Sequence, residues 1–397
     1  MHMPALANES VRSLLERGER LLGLAEFEAA AECFERAAAA PAPDAVRGRA
    51  RRRELAARAD HAYQHLCAQR FPLATRAVDR ALQIDPRGPE LLWMHARLAE
   101  RSGRIEDALD DLDLLDDLQW RGVAMSVLDA SCRAQLEDRA GFEMAMTHAA
   151  VLAAEHPCGI VTGRMSAGFD SGEACPDRID ATGRMRRAVS ARPADATRRA
   201  VLAELLLDQG WVEEAELHLA VARSIAPQDA AGALLPGRAC LERRDVRGAL
   251  ECFARAARDL GRYPDLWLWT GLAHLCGRGI PEALAAFTRA LDLNRRYAAA
   301  WQAMTVARFV AGDTAGSALA ARQVSLRHRE RPAYPGGFYR ALAEDPDDAA
   351  LCHLRRAAAL HADYPDLAEA LDLGLRARRA RNTNGALGER AVVEAGV

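Results

Sequence analysis

The sequence predicts an all-α solenoid of antiparallel helix pairs, about nine or ten hairpins long with some of them degenerate. Three observations carry this. Ala188, Ala222, Ala256 and Ala290 stand 34 residues apart, and Ala181, Ala215, Ala249 and Ala283 repeat that step seven residues before them. Leu219, Phe253 and Phe287 form a column of large residues at the same period, Gly237 and Gly271 one of glycines, and Trp267 and Trp301 one of tryptophans. Pro86, Pro193 and Pro227 fall where the periodic stretches end, because proline cannot continue a helix.

The clearest unit is "LWLWTGLAHLCGRGIPEALAAFTRALDL", residues 266–293. Its second helix carries Ala283, Phe287 and Ala290 at i, i+4 and i+7, one face of a 3.6-residue period. Small residues let two helices approach, and the aromatic fills the space between consecutive hairpins. Taken in order, Leu14, Gly18, Leu21, Ala30, Phe34 and Ala37 fit a first unit. A long arginine-rich helix from near Asp44 leads into a second, with Ala74, Val78 and Ala81. Leu92, Ala96, Gly103, Ala108, Leu112 and Leu115 make a third, and Ala145, Leu152 and Pro157 a looser fourth. These form an N-terminal array over 1–157.

A degenerate Gly-rich hairpin is expected over 158–193, followed by the regular array over 194–330. Trp301, Gly312 and Val324 mark its last, weak unit. Within 331–380, Pro332, Pro335, Gly336 and Gly337 argue against a regular helix across them, and a capping hairpin follows. Tyr334, Phe338 and Tyr339 are placed to dock this segment. The stretch 381–397 lacks strong periodicity and reads as a flexible tail.

The 397 residues are 50% hydrophobic and 27% charged, with a net charge of -3 that gives no bias toward nucleic acid or membrane. Lysine is absent, so all 53 basic residues are arginine. That excludes a Schiff-base lysine and a phosphate-loop lysine within this chain. The nine cysteines are scattered and never spaced C-x-x-C, as expected of small core residues in a reducing compartment. With no signal-like leader and no membrane span, the expected location is cytoplasmic.

The W…LG…Y…A…F…A…P succession, best matched at 264–297, resembles the tetratricopeptide repeat family. The resemblance implies a right-handed superhelix whose first helices line a concave groove for a peptide, helix or protein. Carried onto matched positions, that face nominates Tyr63, Trp93, Arg97, Arg101, Glu204 and Arg238. It continues through an apolar stripe of Leu268, Trp269, Leu272, Leu275, Val306 and Phe309, which is a binding site if exposed and core if the segment 331–380 folds back over it. The family's lysine and asparagine clamp for peptide carboxylates has no counterpart here. Lysine is missing, and the asparagines are Asn8, Asn294, Asn382 and Asn384.

Other constellations are weaker. Arg47, Arg49, Arg51, Arg52, Arg53 and Arg58 could contact phosphate or acidic protein, or simply form a solvated helix face neutralised by the acidic run 106–117. No aromatic platform is interleaved with them, which argues against nucleic acid. His61 and His65, one helical turn apart, and the looser set His156, Cys158 and Cys175 have metal-ligand residue types without an assignable full ligand set. No catalytic motif is found, and no cofactor is expected. The expected function is therefore a non-enzymatic scaffold that binds a protein or peptide in its groove. The alternative is an accessory subunit that presents substrate to, or regulates, a separately encoded enzyme. End-to-end or dimeric association is a further possibility for an open array.

Overall fold

The computed structural model describes residues 10–155, 180–226, 233–327 and 334–394. Among them are twenty α-helices and no strand. The chain divides into two compact units, one of residues 1–91, 171–180 and 330–397, the other of 92–170 and 181–329.

In the first unit, α1 (Val11–Gly23), α2 (Phe27–Ala39), α3 (Asp44–Cys67) and α4 (Phe71–Leu82) pack successively. The C-terminal helices α18 (Gly336–Glu344), α19 (Asp348–Leu360) and α20 (Pro365–Glu394) belong to the same unit, with α19 against α1 and α3. Arg356 of α19 holds the buried Asp60 of α3 at 2.5 Å. Burial pushes the Asp60 carboxyl above its usual range, and the Arg356 guanidinium pulls it back.

α18 begins only at Gly336, with Pro335 as its N-cap in extended conformation, so no described helix runs across Pro335. The expected tail continues α20 as helix to Glu394. The docking role given to Phe338 and Tyr339 is met within the unit: both are buried, and His353 stacks on Tyr339 at 5.9 Å.

The second unit runs through α5 (Pro89–Arg101), α6 (Ile105–Asp117), α7 (Val123–Gln135) and α8 (Arg139–Glu155). It continues with α9 (Ala181–Ala191), α10 (Ala196–Asp208), α11 (Val212–Ile225), α12 (Leu235–Glu242) and α13 (Val246–Leu260). The last four helices are α14 (Pro264–Cys276), α15 (Ile280–Leu293), α16 (Ala298–Val310) and α17 (Thr314–Arg327). Hairpins pack in series, and α7 and α8 also pack against α17 and α16.

One register governs eight hairpins. A small residue of the first helix faces, 16 positions later, a large residue of the second: Gly18 with Phe34, Gly237 with Phe253 and Gly271 with Phe287. A Cβ added at these glycines would come within 2.6, 2.4 and 2.4 Å of the ring, so nothing larger than hydrogen fits. Where the second helix carries a smaller side chain the first carries alanine, as in the buried pairs Ala62 with Val78, Ala96 with Leu112, Ala130 with Met146 and Ala203 with Leu219. In the last hairpin the sizes invert to Thr305 with Ala321, both buried.

Seven residues after each small residue the chain turns through a left-handed backbone, at Ala25, Gln69, Gly103, Glu137, Gly210, Arg244, Arg278 and Gly312. The next amide closes a six-to-one bond to the helix end, for example Asp245 N to Cys240 O at 2.9 Å and Gly279 N to His274 O at 2.8 Å. The tryptophan column has a matching role: Trp267 Nε1 donates to Gly261 O at 2.9 Å and Trp301 Nε1 to Arg295 O at 3.0 Å.

Candidate binding face

The first helices of the regular hairpins place Glu204, Arg238, Leu272 and Val306 in one column at 34-residue steps. The column changes from charged to apolar along its length. Its apolar half is not open. Leu268, Leu272 and Val306 are at most 1% exposed and Trp269 is 7% exposed, which corrects the expectation of an accessible stripe. They share one core with Val123, Val127, Phe142 and Met146 of α7 and α8, and Phe142 meets Phe309 edge to face at 6.4 Å. The covering element is thus the α7–α8 hairpin, rather than the C-terminal segment considered from sequence. Leu275 and Phe309 are half-buried at the border of this core.

The charged half keeps accessible groups. Arg238, itself buried, donates from Nη2 to the Asp208 carboxylate, and its guanidinium carbon lies 5.4 Å from the Trp269 ring centre. Asp265 of α14 accepts the hydroxyl proton of Tyr297. Glu204 is half-buried on α10, one turn before Asp208. Its carboxyl is pushed up to about 7, first by burial, then by Asp208 with Asp265 adding to it, while Arg238 pulls it down. Arg238 is thus paired with Asp208, while Glu204 feels both of them and Asp265, so a further positive charge beside Glu204 would favour its ionised form. Sequence reasoning nominated Glu204 and Arg238 but missed Asp208, Asp265 and Tyr297. Stepping 34 residues back from Glu242 finds Asp208; no sequence signal distinguishes Asp265 or Tyr297.

The remaining nominated positions are dispersed. Trp93, Arg97 and Arg101 line a hollow of about 30 Å³ with Glu100, Val127, Leu128 and Gln302, room for water but no larger ligand. Arg97 lies over Trp93 at 5.7 Å, and Trp93 meets Trp120 at 6.2 Å. Glu100 accepts from Ser131 Oγ at 3.2 Å and Gln135 Nε2 at 3.1 Å. Tyr63 belongs to the first unit, edge-on to His361 at 5.8 Å.

The arginine run is largely paired inside its own unit. Arg53 meets Glu19 at 2.8 Å, Arg58 meets Glu54 at 2.9 Å and Glu35 at 2.7 Å, Arg49 meets Glu19 at 3.8 Å, and Arg47 pairs with Asp44. Glu19, Glu35, Glu54 and Asp44 thus do the work that sequence had given to the acidic run 106–117. Arg51 and Arg52 face solvent. His61 and His65 do come together, Nε2 to Nε2 at 3.0 Å, with Glu28 3.9 Å from His61. Burial holds both imidazoles below their ordinary value, with Glu28 pulling His61 back up and the neighbouring His61 lowering His65 further. Among the described residues no group of three or more His, Cys, Asp or Glu is arranged to hold a metal ion. His156, Cys158 and Cys175 lie outside the described residues.

The register that builds this face settles its class: a small residue, a left-handed turn seven positions on, a large partner 16 positions on, and a 34-residue step. The fold is a solenoid of helix pairs with a tetratricopeptide-like register. Neither a protein-family model nor a curated protein matches the chain. Among solved structures it is similar to MamA, at 16% identity over 36% of this chain and 84% of that one, with a TM-score of 0.32. It is also similar to yeast Tom70, at 11% identity over 94% and 96% of the two chains and a TM-score of 0.33. The Cut9 and Hcn1 hetero-tetramer of the APC/C gives 11% identity over 92% and 90%, with a TM-score of 0.34. Likeness at this level carries no argument, and the tetratricopeptide-like assignment stands on the chain's own register. No described helix is long and apolar enough to cross a membrane.

Proposed function

We propose that this tetratricopeptide-like chain is a non-enzymatic, cytoplasmic scaffold that binds a protein or peptide on the charged half of its first-helix face. One observation carries the reading: Glu204, half-buried with its carboxyl raised, stands beside Asp208, Arg238 and Asp265 on three successive first helices. A carboxylate drawn out of water and crowded by like charge is relieved by a cation, and an arginine or lysine of the partner supplies one with directed hydrogen bonds. The partner segment is therefore basic. The neighbouring apolar half of the face is already filled by α7 and α8, which leaves recognition to polar contacts.

Affinity capture from the native host's lysate tests this, wild type against Glu204→Arg. Loss of a captured protein in the variant, with helicity and melting unchanged, supports the reading. Full retention of every captured protein by the variant rejects it.

A further inference from the structure

His61 and His65 form a pair that partner binding leaves unused. They stand one turn apart on α3, which puts both imidazoles on one side of the helix, with ring centres 4.5 Å apart. The two Nε2 atoms converge to 3.0 Å. Glu28, in the first turn of α2, brings Oε2 to 3.9 Å from His61 Nε2. The Glu28 side chain is 63% exposed and that of His61 20%, so the carboxylate is free to adjust while the imidazole is held. Both helices belong to the first unit.

We propose that His61 and His65 form a two-imidazole site for a divalent transition-metal ion such as zinc, with Glu28 as the third ligand and water completing the shell. The separations suit one ion. With Zn–N bonds of about 2.0–2.1 Å, two ligands at the tetrahedral angle stand about 3.3 Å apart. The imidazole pair is already close to that spacing, and the exposed Glu28 carboxylate is the group that closes in. Imidazole nitrogens with one carboxylate oxygen are donors that zinc, copper and nickel accept.

A neutral imidazole offers one bare nitrogen and keeps its proton on the other. Burial, with Arg80 and Arg58 behind it and Glu28 opposing, holds His61 below its ordinary value. Burial, then His61 and Arg70, with Glu28 again opposing, does the same for His65. Both rings are therefore neutral at pH 7 and need lose no proton to bind. Where Nε2 meets Nε2, one ring must donate to the other. An ion placed between them moves that proton to Nδ1 of the same ring, and both Nε2 lone pairs then point at the metal. The guanidiniums oppose the added charge, but Arg58 is already paired with Glu35 and Glu54.

His65 Nδ1 is buried and has no hydrogen-bond partner, so its proton finds no acceptor when Nε2 is the ligand. Lacking such a partner costs a metal site about 10–100-fold in affinity. The ion is thus exchangeable rather than a permanent part of the fold. When bound it ties α3 to α2, across the junction of the first two hairpins.

The probe is zinc chloride titrated into the purified full chain after treatment with EDTA, followed by calorimetry and by thermal melting. The expected result is zinc binding that His61→Gln and His65→Gln each weaken about tenfold or more, and that Glu28→Gln weakens less. Zinc at about 100 times its dissociation constant should raise the melting temperature by several degrees, and EDTA should reverse the rise. No zinc binding by the wild type, or equal affinity in the wild type and both histidine variants, would overturn the proposal. Should a histidine variant fail to fold, the anomalous scattering of zinc in crystals of the wild-type chain decides. A peak between the two Nε2 atoms supports the site, and a map without one overturns it.

Discussion

Gly271 of α14 lies beneath the ring of Phe287 of α15, so close that a Cβ there would stand 2.4 Å from a ring carbon. Gly271→Ala is expected to cost about 1–3 kcal/mol, as overpacking of a rigid core does. Adding Phe287→Leu recreates the alanine and leucine pairing found at Ala96 with Leu112 and at Ala203 with Leu219. The double variant should therefore be more stable than Phe287→Leu and Gly271→Ala measured separately would sum to, by about 1 kcal/mol or more. Urea denaturation of all four proteins checks the coupling, and simple additivity would contradict it.

Arg278 occupies the left-handed turn position at φ 61°, where Gly210 and Gly312 stand in other hairpins. A side chain in that conformation costs about 1 kcal/mol relative to glycine. Arg278→Gly is expected to raise stability by about 0.5–1 kcal/mol, the cost of extra freedom in the unfolded chain offsetting part of the gain. A rise in melting temperature with unchanged helicity is the readout.

Glu204 makes stability and binding depend on pH in opposite senses. Its folded value of about 7 lies above the ordinary 4.5. The stability it allows is whole below 4.5 and is lost as pH rises through about 7, because ionisation is harder in the folded chain than in the unfolded one. Glu204→Gln should leave stability at pH 5 little changed and add about 1–3 kcal/mol at pH 8. Capture of a basic partner should strengthen between pH 6 and pH 8 in the wild type and stay flat in the variant. Denaturation and binding at both pH values read the two effects.

Asp60 and Arg356, 296 positions apart in sequence, join α3 to α19. Removing the guanidinium leaves a buried carboxyl without its compensating charge. Arg356→Met is expected to cost about 2–3 kcal/mol at pH 7, and Asp60→Asn in the same chain should recover about half. The loss should shrink as pH falls, because the Asp60 carboxyl, raised by burial, is the more readily protonated.

Much of the fold was legible in the sequence because its register is local. Ala283, Phe287 and Ala290 on one face of α15, and Gly271 facing them, are fixed by spacing alone. The turns were less legible. Arg244 and Arg278 adopt the left-handed conformation that Gly210 and Gly312 advertise, so composition marks only some of the eight. The burial of Leu272 and Val306 was not legible at all, since a 34-residue pattern defines a face without saying what covers it. That cover comes from Phe142 and its neighbours, more than a hundred residues away in sequence. The candidate site suffers the same limit. Glu204 and Arg238 were nominated by register, whereas Asp265 and Tyr297 enter through contacts between helices.

Site-specific photocrosslinking tests the binding face most directly. A photoreactive residue is placed at Glu242, 34 residues after Asp208 on the neighbouring first helix, or at Leu217, 69% exposed on α11. Both proteins are irradiated in lysate of the native host, with and without Glu204→Arg. The expected result is a protein adduct at position 242 that disappears with Glu204→Arg. An adduct at position 217 alone, or one at 242 that persists with Glu204→Arg, would contradict recognition at the charged half of the first-helix face.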